Sequence, residues 1–404
     1  MSNVCIALNA GSSSLKFQVF DADARDESNV VFRGNFERLG GPARFVVKDE
    51  TGTTLDQTSW PDNSQFGHEQ ALLHLVSWLK SHKGERRLVA VGHRIVHGGA
   101  FFNGPVRIDD EVLAKLETLV PLAPLHQPYN LKPVKIVRST LPDIPQIACF
   151  DTSFHLTQPE VATTFALPRE IRERGVRRYG FHGLSYEYIA SVLPTYDPAL
   201  AQGRVIVAHL GSGASLCALN GLKSAATTMG LSALDGIPVG PRCGAIDPGA
   251  VFYMIREMGY TADEAEKILY TKSGLLGLSG MSNDMRVLRE NASQPEARRA
   301  IDVFIYRIQR EIGSLAAALG GLDALVFTAG IGENDPATRA EVIKGLAWTG
   351  LSLDAEANAR GGPRISSGSG PSAWVIPTNE ELVITRQMRR VISEQLTPEA
   401  ALNT

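Results

Sequence analysis

Short apolar runs alternate with stretches of helical periodicity along this 404-residue chain. The runs end in glycine-rich or polar loops, which predicts buried β-strands within 4–8, 17–20, 88–99, 144–151, 205–208 and 322–328. The stretches 68–78 and 296–319 instead carry apolar residues at helical spacing. The stripe in the second stretch consists of Ile301, Phe304, Ile305, Ile308, Ile312 and Leu315. Strands that alternate with helices predict an α/β architecture.

Two segments of similar pattern lie about 200 positions apart, which is half the chain. CIALNAGSSSL at 5–15 and IVAHLGSGASL at 206–216 each begin as an apolar strand and continue into a small-residue loop that closes on Ser-Leu. A similarity this short can arise by chance, but it falls where a duplicated protein would have it. We therefore predict two duplicated domains that place two small-residue loops at one cleft.

The composition favours an ordinary globular protein, with 44% apolar and 21% charged residues. A chain of this length exceeds what one core usually supports, which also favours two domains. The net charge is -3 and no basic run is present, so we expect no nucleic-acid partner. Four widely spaced cysteines without a CxxC pair indicate buried thiols in a reducing compartment.

The N-terminus has no basic region, and its apolar run is too short for a signal peptide. No later run is long enough to predict a membrane span. From the sequence we expect a cytoplasmic protein without a membrane partner.

The small-residue loops suit phosphate. Glycine and serine let a ligand approach the backbone, and consecutive N–H groups in a tight turn attract anions. Lys16 adds a positive charge after the first loop, and the loops at 209–213 and 329–334 repeat the feature. None matches the patterns GxxxxGK[ST] or GxGxxG. A polar hairpin turn therefore remains the alternative for 8–17, and nucleotide binding is favoured by the three loops together.

Three arginines lie in or beside glycine-punctuated loops: Arg94, Arg178 and Arg242. A planar fork of donors suits carboxylate or phosphate oxygens. A salt bridge to a neighbouring acid is the alternative for each, and it is favoured for Arg178. Asp151 follows a buried strand, where α/β proteins keep their sites, although it could simply cap the next turn.

The histidines divide into two classes. His93 and His97 are four apart, but their β-branched surroundings argue against a helix and hence against a zinc pair. His182, framed by glycines, and His126, in a proline-rich loop, are each either functional or hydrogen-bonding turn residues. Glu333, Asn334 and the stretch 379–381 could be helix caps or could reach a metal or a ribose.

These stretches, in this order, resemble the acetate kinase family over essentially the whole length. The matching blocks are NAGSSSLKF, HRIVHGG, PLAPLHQP, CFDTSFH, RRYGFHG, AHLGSGASL, MGLSALDGIPVGPRCGAIDPG, SGLLGLSGMSNDMR, FTAGIGENDP and PTNEEL. The resemblance implies two duplicated actin-like, or ribonuclease-H-like, α/β domains with an active-site cleft between them. It implies a first domain at 1–150, on which about 380–404 packs, and a second at 151–379 that carries most of the nucleotide site.

The resemblance also implies roles for individual residues. Catalytic roles fall to Asp151, His182 and Arg242, and Mg²⁺ ligation to Asn9 and Glu380. Arg94 would hold the substrate carboxylate. The pocket for the acyl methyl group would be lined by Val96, Leu125, Phe181 and Ala233. ATP would be bound by Ser12, Ser14, Lys16, His209, Leu210, Gly211, Ser212, Gly213, Asp284, Met285, Arg286, Gly330, Ile331, Gly332, Glu333 and Asn334.

The implied reaction is reversible, Mg²⁺-dependent phosphoryl transfer from ATP to acetate, with Mn²⁺ as a possible substitute metal and a homodimer as the assembly. Acetate is already ionised at neutral pH, so we expect Asp151 to have an orienting or metal-linked role rather than to act as a base. Three departures from the family pattern are Ser212 for Asn, Pro241 for Thr and Ala233 for Pro. The last leaves a propionate or short-chain acyl kinase as an alternative, and a non-catalytic actin-like nucleotide-binding protein is a more distant one.

Overall fold

The computed structural model describes residues 2–11, 13–24, 29–61, 65–82, 84 and 86–396. The chain forms two compact units, one of residues 1–153 with 379–404 and one of residues 154–378. Among the described residues, no helix combines the length and apolar character that crossing a membrane requires.

The strands are short and mostly buried. Their bounds are β1 Asn3–Ala10, β2 Ser14–Asp21, β3 Val30–Glu37, β4 Ala43–Asp49, β5 Thr54–Trp60, β6 Arg87–Ile95, β7 Val106–Arg107, β8 Gln146–Phe150, β9 Arg204–Leu210, β10 Ala214–Asn220, β11 Lys223–Thr227, β12 Ala324–Thr328, β13 Ser352–Leu353, β14 Ser366–Ser367 and β15 Ser372–Val375. Every predicted strand is confirmed; β1, β2 and β9 extend beyond the predicted ranges, whereas β6, β8 and β12 are shorter than predicted.

Helices connect the strands. Their bounds are α1 His68–His82, α2 Asp110–Thr118, α3 Gln127–Thr140, α4 Glu160–Thr163, α5 Arg169–Arg172, α6 Gly183–Tyr196, α7 Pro248–Arg256, α8 Ala262–Thr271, α9 Gly274–Ser279, α10 Met285–Glu290, α11 Pro295–Leu319, α12 Ala329–Asn334, α13 Pro336–Lys344, α14 Ala355–Ala359 and α15 Glu380–Leu396. Single 3₁₀ turns lie at Val120–Leu122, Ser153–Thr157, Pro198–Gln202 and Ala347–Thr349.

The first unit is built on a sheet of order β5-β4-β3-β2-β1-β6-β8-β7. Strands β1 to β5 form antiparallel neighbours, whereas β1, β6 and β8 run parallel. Helices α1 and α3 pack on one face, and α15 packs against β1, β6 and β8. Gly92 allows the close approach of α15, because a β-carbon there would lie 2.5 Å from Cγ2 of Ile384. Because β1, β6 and β8 run parallel, their carboxyl ends lie at one edge of the sheet.

The second unit has a sheet of order β11-β10-β9-β12-β15. Strands β9 to β11 are antiparallel, and β9, β12 and β15 are parallel. This order repeats β3-β2-β1-β6-β8 of the first unit strand for strand, so the predicted duplication of an α/β fold is confirmed. The two similar sequence segments form the β1–β2 and β9–β10 hairpins, the corresponding position in each sheet.

Helix α11 shows how closely pattern can determine an element. Its observed bounds, 295–319, differ by one residue from the predicted range, and the whole predicted stripe is buried against the second sheet. Pro295 occupies the first turn, and Gly320 ends the helix in the left-handed conformation.

The prediction of a loop at 329–334 is wrong, because this segment forms the short helix α12.

Candidate active site

Polar side chains meet at the carboxyl edge of the first sheet. Arg94 lies near the end of β6, and Asp151 directly follows β8. The guanidinium donates from Nε to Oδ1 at 3.0 Å and from Nη2 to Oδ2 at 2.6 Å. Asp151 is only 1% exposed and the Arg94 side chain 17%. The fork is thus a largely buried, charge-assisted pair in which the arginine side chain keeps a small exposed fraction.

Asn9, at the end of β1, joins this pair to the start of α15. Its Oδ1 accepts from Nη1 of Arg94 at 3.1 Å, and its Nδ2 donates to Glu380 at 2.8 Å and Glu381 at 3.1 Å. Arg94 also approaches Glu380 at 3.6 Å. The first and last elements of this unit are therefore linked by one amide across 371 positions.

The cluster is rich in carboxylates for its depth. Burial opposes the charge on Arg94, but Asp151 and Glu380 outweigh it, so the pKa of the guanidinium is raised. Burial and the neighbouring Glu380 raise the pKa of Glu381, which Lys16 partly offsets. Such an excess of buried negative charge favours a bound cation.

The oxygen donors here fit Mg²⁺. Asn9, Glu380 and Glu381 offer amide and carboxylate oxygens, the hard ligands this ion prefers. Among the described residues, no three His, Cys, Asp or Glu side chains form a ready-made metal cage. That is compatible with Mg²⁺, which usually keeps several waters and is shared between one or two carboxylates and substrate phosphates.

The structure describes most of the remaining predicted residues of this unit. In the β1–β2 hairpin the Gly11 amide donates to the Ser14 carbonyl at 2.9 Å. Lys16 is an exposed residue of β2, and Ser12 lies outside the described residues. Val96 is 5% exposed, whereas Leu125 is 39% exposed.

The β9–β10 loop of the second unit is surrounded by predicted site residues. Its Gly211 amide donates to the Gly213 carbonyl at 2.9 Å, as in the first hairpin. A methyl group on Gly213 would lie 3.0 Å from Nε2 of His182 and 4.0 Å from Nη1 of Arg242. One on Gly211 would lie 3.7 Å from Nε2 of His209. A β-carbon at 213 would crowd the His182 ring, whereas the distances to His209 and Arg242 are ordinary van der Waals contacts.

His182 is held in an uncommon conformation at the start of α6. Its φ is 57°, the left-handed region that few non-glycine residues adopt. Its ring stacks on His209, with centroids 4.3 Å apart and 16° between planes. Gly180, just before it, has φ +80°, and a β-carbon there would lie 2.7 Å from the His155 ring. The loop conformation is therefore fixed by packing behind it.

Arg242 projects from a tight turn. The amides of Val239 and Arg242 each donate to the other's carbonyl, at 3.1 and 2.8 Å. Helix α9 closes against this turn, since the Ser273 amide donates to the Pro241 carbonyl at 2.9 Å. Nη1 of Arg242 donates to the Ala233 carbonyl at 3.3 Å, which places the arginine beside the predicted pocket residue. Phe181, another predicted pocket residue, is 2% exposed.

The other predicted nucleotide residues belong to short helices. The Asp284 carboxylate caps α10 by accepting from the Arg286 amide at 2.9 Å, and it also pairs with the Arg286 guanidinium at 2.7 Å. Met285 is buried. In α12, the Glu333 carboxylate accepts from the amides of Ala329 at 2.8 Å and Thr378 at 3.2 Å. The helix holds Gly330, Ile331, Gly332, Glu333 and Asn334 directly after β12.

Comparison with known proteins matches this geometry to one family. The profile of the acetokinase family matches residues 4–386. The chain belongs to the acetokinase family. It is 52% identical to an acetate kinase of Rhodopseudomonas palustris over 396 residues, covering 97% of this chain and 99% of that relative. It is 46% identical to the acetate kinase of Methylocella silvestris, covering 98% and 99%.

Solved structures give the same result for the fold. A propionate kinase from Francisella tularensis superposes with a TM-score of 0.88 at 34% identity, covering 96% of this chain and all of that one. The Porphyromonas gingivalis acetate kinase superposes with a TM-score of 0.83, also at 34% identity and with the same coverage. The predicted kinase fold and phosphotransferase class are confirmed by this membership.

Two other residue predictions have clear outcomes in this acetokinase. Arg178 pairs with Asp235 at 3.1 Å, so the salt-bridge alternative is confirmed for it. His93 lies on strand β6 and is bonded to Gln146 at 2.8 Å, while the His97 ring accepts from the Gly99 amide. The expectation that this run is not helical is therefore confirmed.

Sequence reasoning missed several residues that hold the site together. Asn130 binds the Val96 amide through Oδ1 at 2.8 Å and the Ala10 carbonyl through Nδ2 at 2.7 Å. Tyr186 and Ser215 lie behind His182, and His155 supports the loop before it. Ser215 falls inside the GSGASL motif, a signal that could have found it. His155 likewise falls inside the block CFDTSFH, whereas Asn130 and Tyr186 lie outside the quoted motifs.

Proposed function

We propose that this chain is an acetate kinase, which converts ATP and acetate reversibly into ADP and acetyl phosphate. The observation that carries the proposal is the match to relatives named acetate kinase over 97% of the chain at 52% identity. ATP is the co-substrate of this reaction, and the second unit supplies most of the nucleotide site through the loop at 211–213 and helices α10 and α12.

The chemistry needs positioned charge and no proton acceptor. A carboxylate oxygen of acetate attacks the γ-phosphorus, and the bond from that phosphorus to the oxygen of the departing ADP breaks. Acetate arrives ionised and ADP leaves as an anion, so no proton is transferred in the step. Such a transfer depends on in-line positioning and on stabilising charge at the equatorial oxygens.

The residues of this chain fit those requirements. The exposed part of the Arg94 side chain would hold the acetate carboxylate, while the fork to Asp151 fixes the orientation of the guanidinium. Arg242 and His182, which both approach Gly213, would donate to the phosphoryl group. Asp151 therefore acts in this proposal as an orienting anion.

Asn9 and Glu380 would hold Mg²⁺, with Glu381 beside them. When bound, the ion would neutralise phosphate charge during transfer. The chain's own part is to keep these oxygens in place, which the Asn9 amide does through its bonds to both glutamates.

Propionate is a second candidate acceptor. The relative from Francisella tularensis is named a propionate kinase. In addition, alanine at 233 has a smaller side chain than the proline that the family resemblance implies there. We propose acetate as the preferred acceptor, with propionate as a poorer one.

The homodimer and the cytoplasmic location also belong to this proposal. The family resemblance supports the dimer, and dependence on ATP supports the location. Light scattering on the purified protein tests the assembly, and a monomeric mass would contradict the proposed homodimer.

Trapping acetyl phosphate with hydroxylamine tests the proposed function. Purified protein with ATP, Mg²⁺ and acetate should form acetohydroxamate, and none should form without acetate. Binding of ATP without any acyl-acceptor-dependent product would support the non-catalytic nucleotide-binding alternative instead. A rate with propionate above that with acetate would support the short-chain acyl kinase.

A further inference from the structure

A chain of buried hydroxyl groups ends at His182. The Tyr186 hydroxyl lies 2.5 Å from Oγ of Ser215, which lies 2.8 Å from Nδ1 of His182. Tyr186 comes from α6 and Ser215 from β10, and both are fully buried. Buried hydroxyl groups must find their partners within the protein, so the order of donors and acceptors in this chain follows from the chemistry of its groups.

The chemistry of the groups sets the direction of the chain. A serine hydroxyl has one proton to donate, and Ser215 has a neighbour on each side. Phenol is the most acidic of the three groups and imidazole the most basic. The favourable order is therefore Tyr186 donating to Ser215, and Ser215 donating to Nδ1 of His182.

This order determines which imidazole nitrogen carries the proton. With Nδ1 accepting, a neutral His182 must carry its proton on Nε2. Nε2 is the nitrogen that lies next to Gly213 in the β9–β10 loop. Its N–H therefore points towards the loop at which the phosphoryl group is proposed to bind.

The ring is also prevented from turning. It stacks on His209, whose Nδ1 lies 2.8 Å from the Ser185 hydroxyl. Ser185 in turn lies 2.9 Å from the Thr378 hydroxyl. The left-handed backbone of His182 limits its orientation further. Packing thus fixes the plane of the imidazole, and the hydroxyl chain fixes its proton.

We propose that Tyr186 and Ser215 are positioning residues that hold His182 as a donor from Nε2 to the transferred phosphoryl group. The catalytic part of this inference rests on the proposed function. The tautomer of His182 does not, and it can be measured in the resting protein.

The tautomer is measured by ¹⁵N NMR on histidine-labelled protein, with His182→Asn identifying the resonances. Wild type at a pH where the ring is neutral should show Nδ1 unprotonated and Nε2 protonated. Ser215→Ala should give a mixture of both tautomers, because Nδ1 loses its donor. Protonated Nδ1 in wild type, or an unchanged tautomer in Ser215→Ala, would overturn the proposal even if the protein had no kinase activity.

Kinetics test the catalytic part. Tyr186→Phe and Ser215→Ala should each lower kcat about tenfold or more, with the KM values for ATP and acetate within about threefold of wild type. Because tyrosine acts only through serine, the double variant should be no slower than Ser215→Ala alone. Multiplied losses in the double variant, or full activity in Tyr186→Phe, would refute the relay.

Tyr179→Phe is the matched control. The residue is 8% exposed, and its hydroxyl donates to a backbone carbonyl, that of Gly175, at 2.9 Å. That carbonyl lies outside the hydroxyl chain, so the kcat of Tyr179→Phe should stay near wild type and the His182 tautomer should be unchanged. A loss in this control equal to that in Tyr186→Phe would mean that removing a buried phenol has a merely structural effect. Wild type without acetate-dependent transfer would refute the proposed function and leave the NMR result to decide the tautomer.

Discussion

Removing the Arg94 guanidinium should damage both the fold and the reaction, by separable amounts. Arg94→Ala deletes the fork to Asp151 and the bond to Asn9. Asp151 is 1% exposed, so its carboxylate would stay buried after losing its guanidinium partner. Breaking a buried pair in this way costs about 3–5 kcal/mol of the free energy of unfolding. Loss of the proposed acetate contact should also lower kcat/KM by about a thousandfold or more, roughly 4 kcal/mol.

A paired change separates the two effects. Arg94→Met with Asp151→Asn removes both charges and keeps most of the volume, so it should recover part of the lost stability, since no buried charge at 151 is left without its guanidinium. It should not recover activity, because no group remains to bind the acetate carboxylate. Arg94→Lys should recover little activity, since an ammonium lacks the planar fork.

Urea unfolding followed by circular dichroism and fluorescence measures stability, and the hydroxamate assay measures kcat/KM. Arg204→Ala is the control, because Arg204 forms another two-bond ion pair, with Asp323. The side chains of these two residues are 40% and 37% exposed. Its urea midpoint should shift far less than that of Arg94→Ala, since solvent screens exposed pairs. Near-normal turnover in Arg94→Ala, or full activity in the paired variant, would refute the reasoning.

Three further predictions concern other parts of the chain. Ser212→Asn should leave kcat/KM within about tenfold, or roughly 1.4 kcal/mol, because either side chain can donate to a phosphate oxygen; complete inactivation would be contrary. The kcat/KM for propionate should be lower than that for acetate by about tenfold or less, and Ala233→Pro should narrow the range of acids accepted. A kcat/KM for propionate more than about a hundredfold below that for acetate would mean that Ala233 does not set the pocket size. Burial lowers the pKa of His93, His97 and His155 from 6.5 to about 4. Between pH 4 and 6.5 each of these histidines takes up a proton on unfolding, because its pKa is higher in the unfolded chain than in the folded one. The free energy of unfolding should therefore fall from pH 6.5 to 4 by at most about 1.4 kcal/mol per pH unit for each histidine. Equal urea midpoints at pH 7 and 5 would contradict this.

The parts of the fold that sequence could predict are those marked by a periodic stripe or an unbroken run of apolar residues. The stripe on α11 and the buried runs of β8 and β12 are continuous, local patterns, and the observed elements follow them. Helix α12 was not predictable in this way. Its two glycines disfavour a helix. The helix begins at Ala329, whose amide donates to the Glu333 side chain, and the same carboxylate accepts from Thr378, a contact made only in the folded chain.

The candidate site divides along the same line. A charged residue after a buried strand marked Asp151, and glycine-rich loops marked the surroundings of His182. Its partners come from distant elements: Glu380 reaches Asn9 across 371 positions and Ser215 reaches His182 across 33. Such pairs depend on strand order and helix packing, which no local window contains.

The measurement that tests the central claim most directly is ³¹P NMR of the purified protein with ATP and Mg²⁺, with and without acetate. Transfer to the carboxylate predicts that ADP and acetyl phosphate appear together in equal amounts, only when acetate is present, and that added ADP and acetyl phosphate regenerate ATP. Formation of ADP with inorganic phosphate at the same rate in both samples would contradict it.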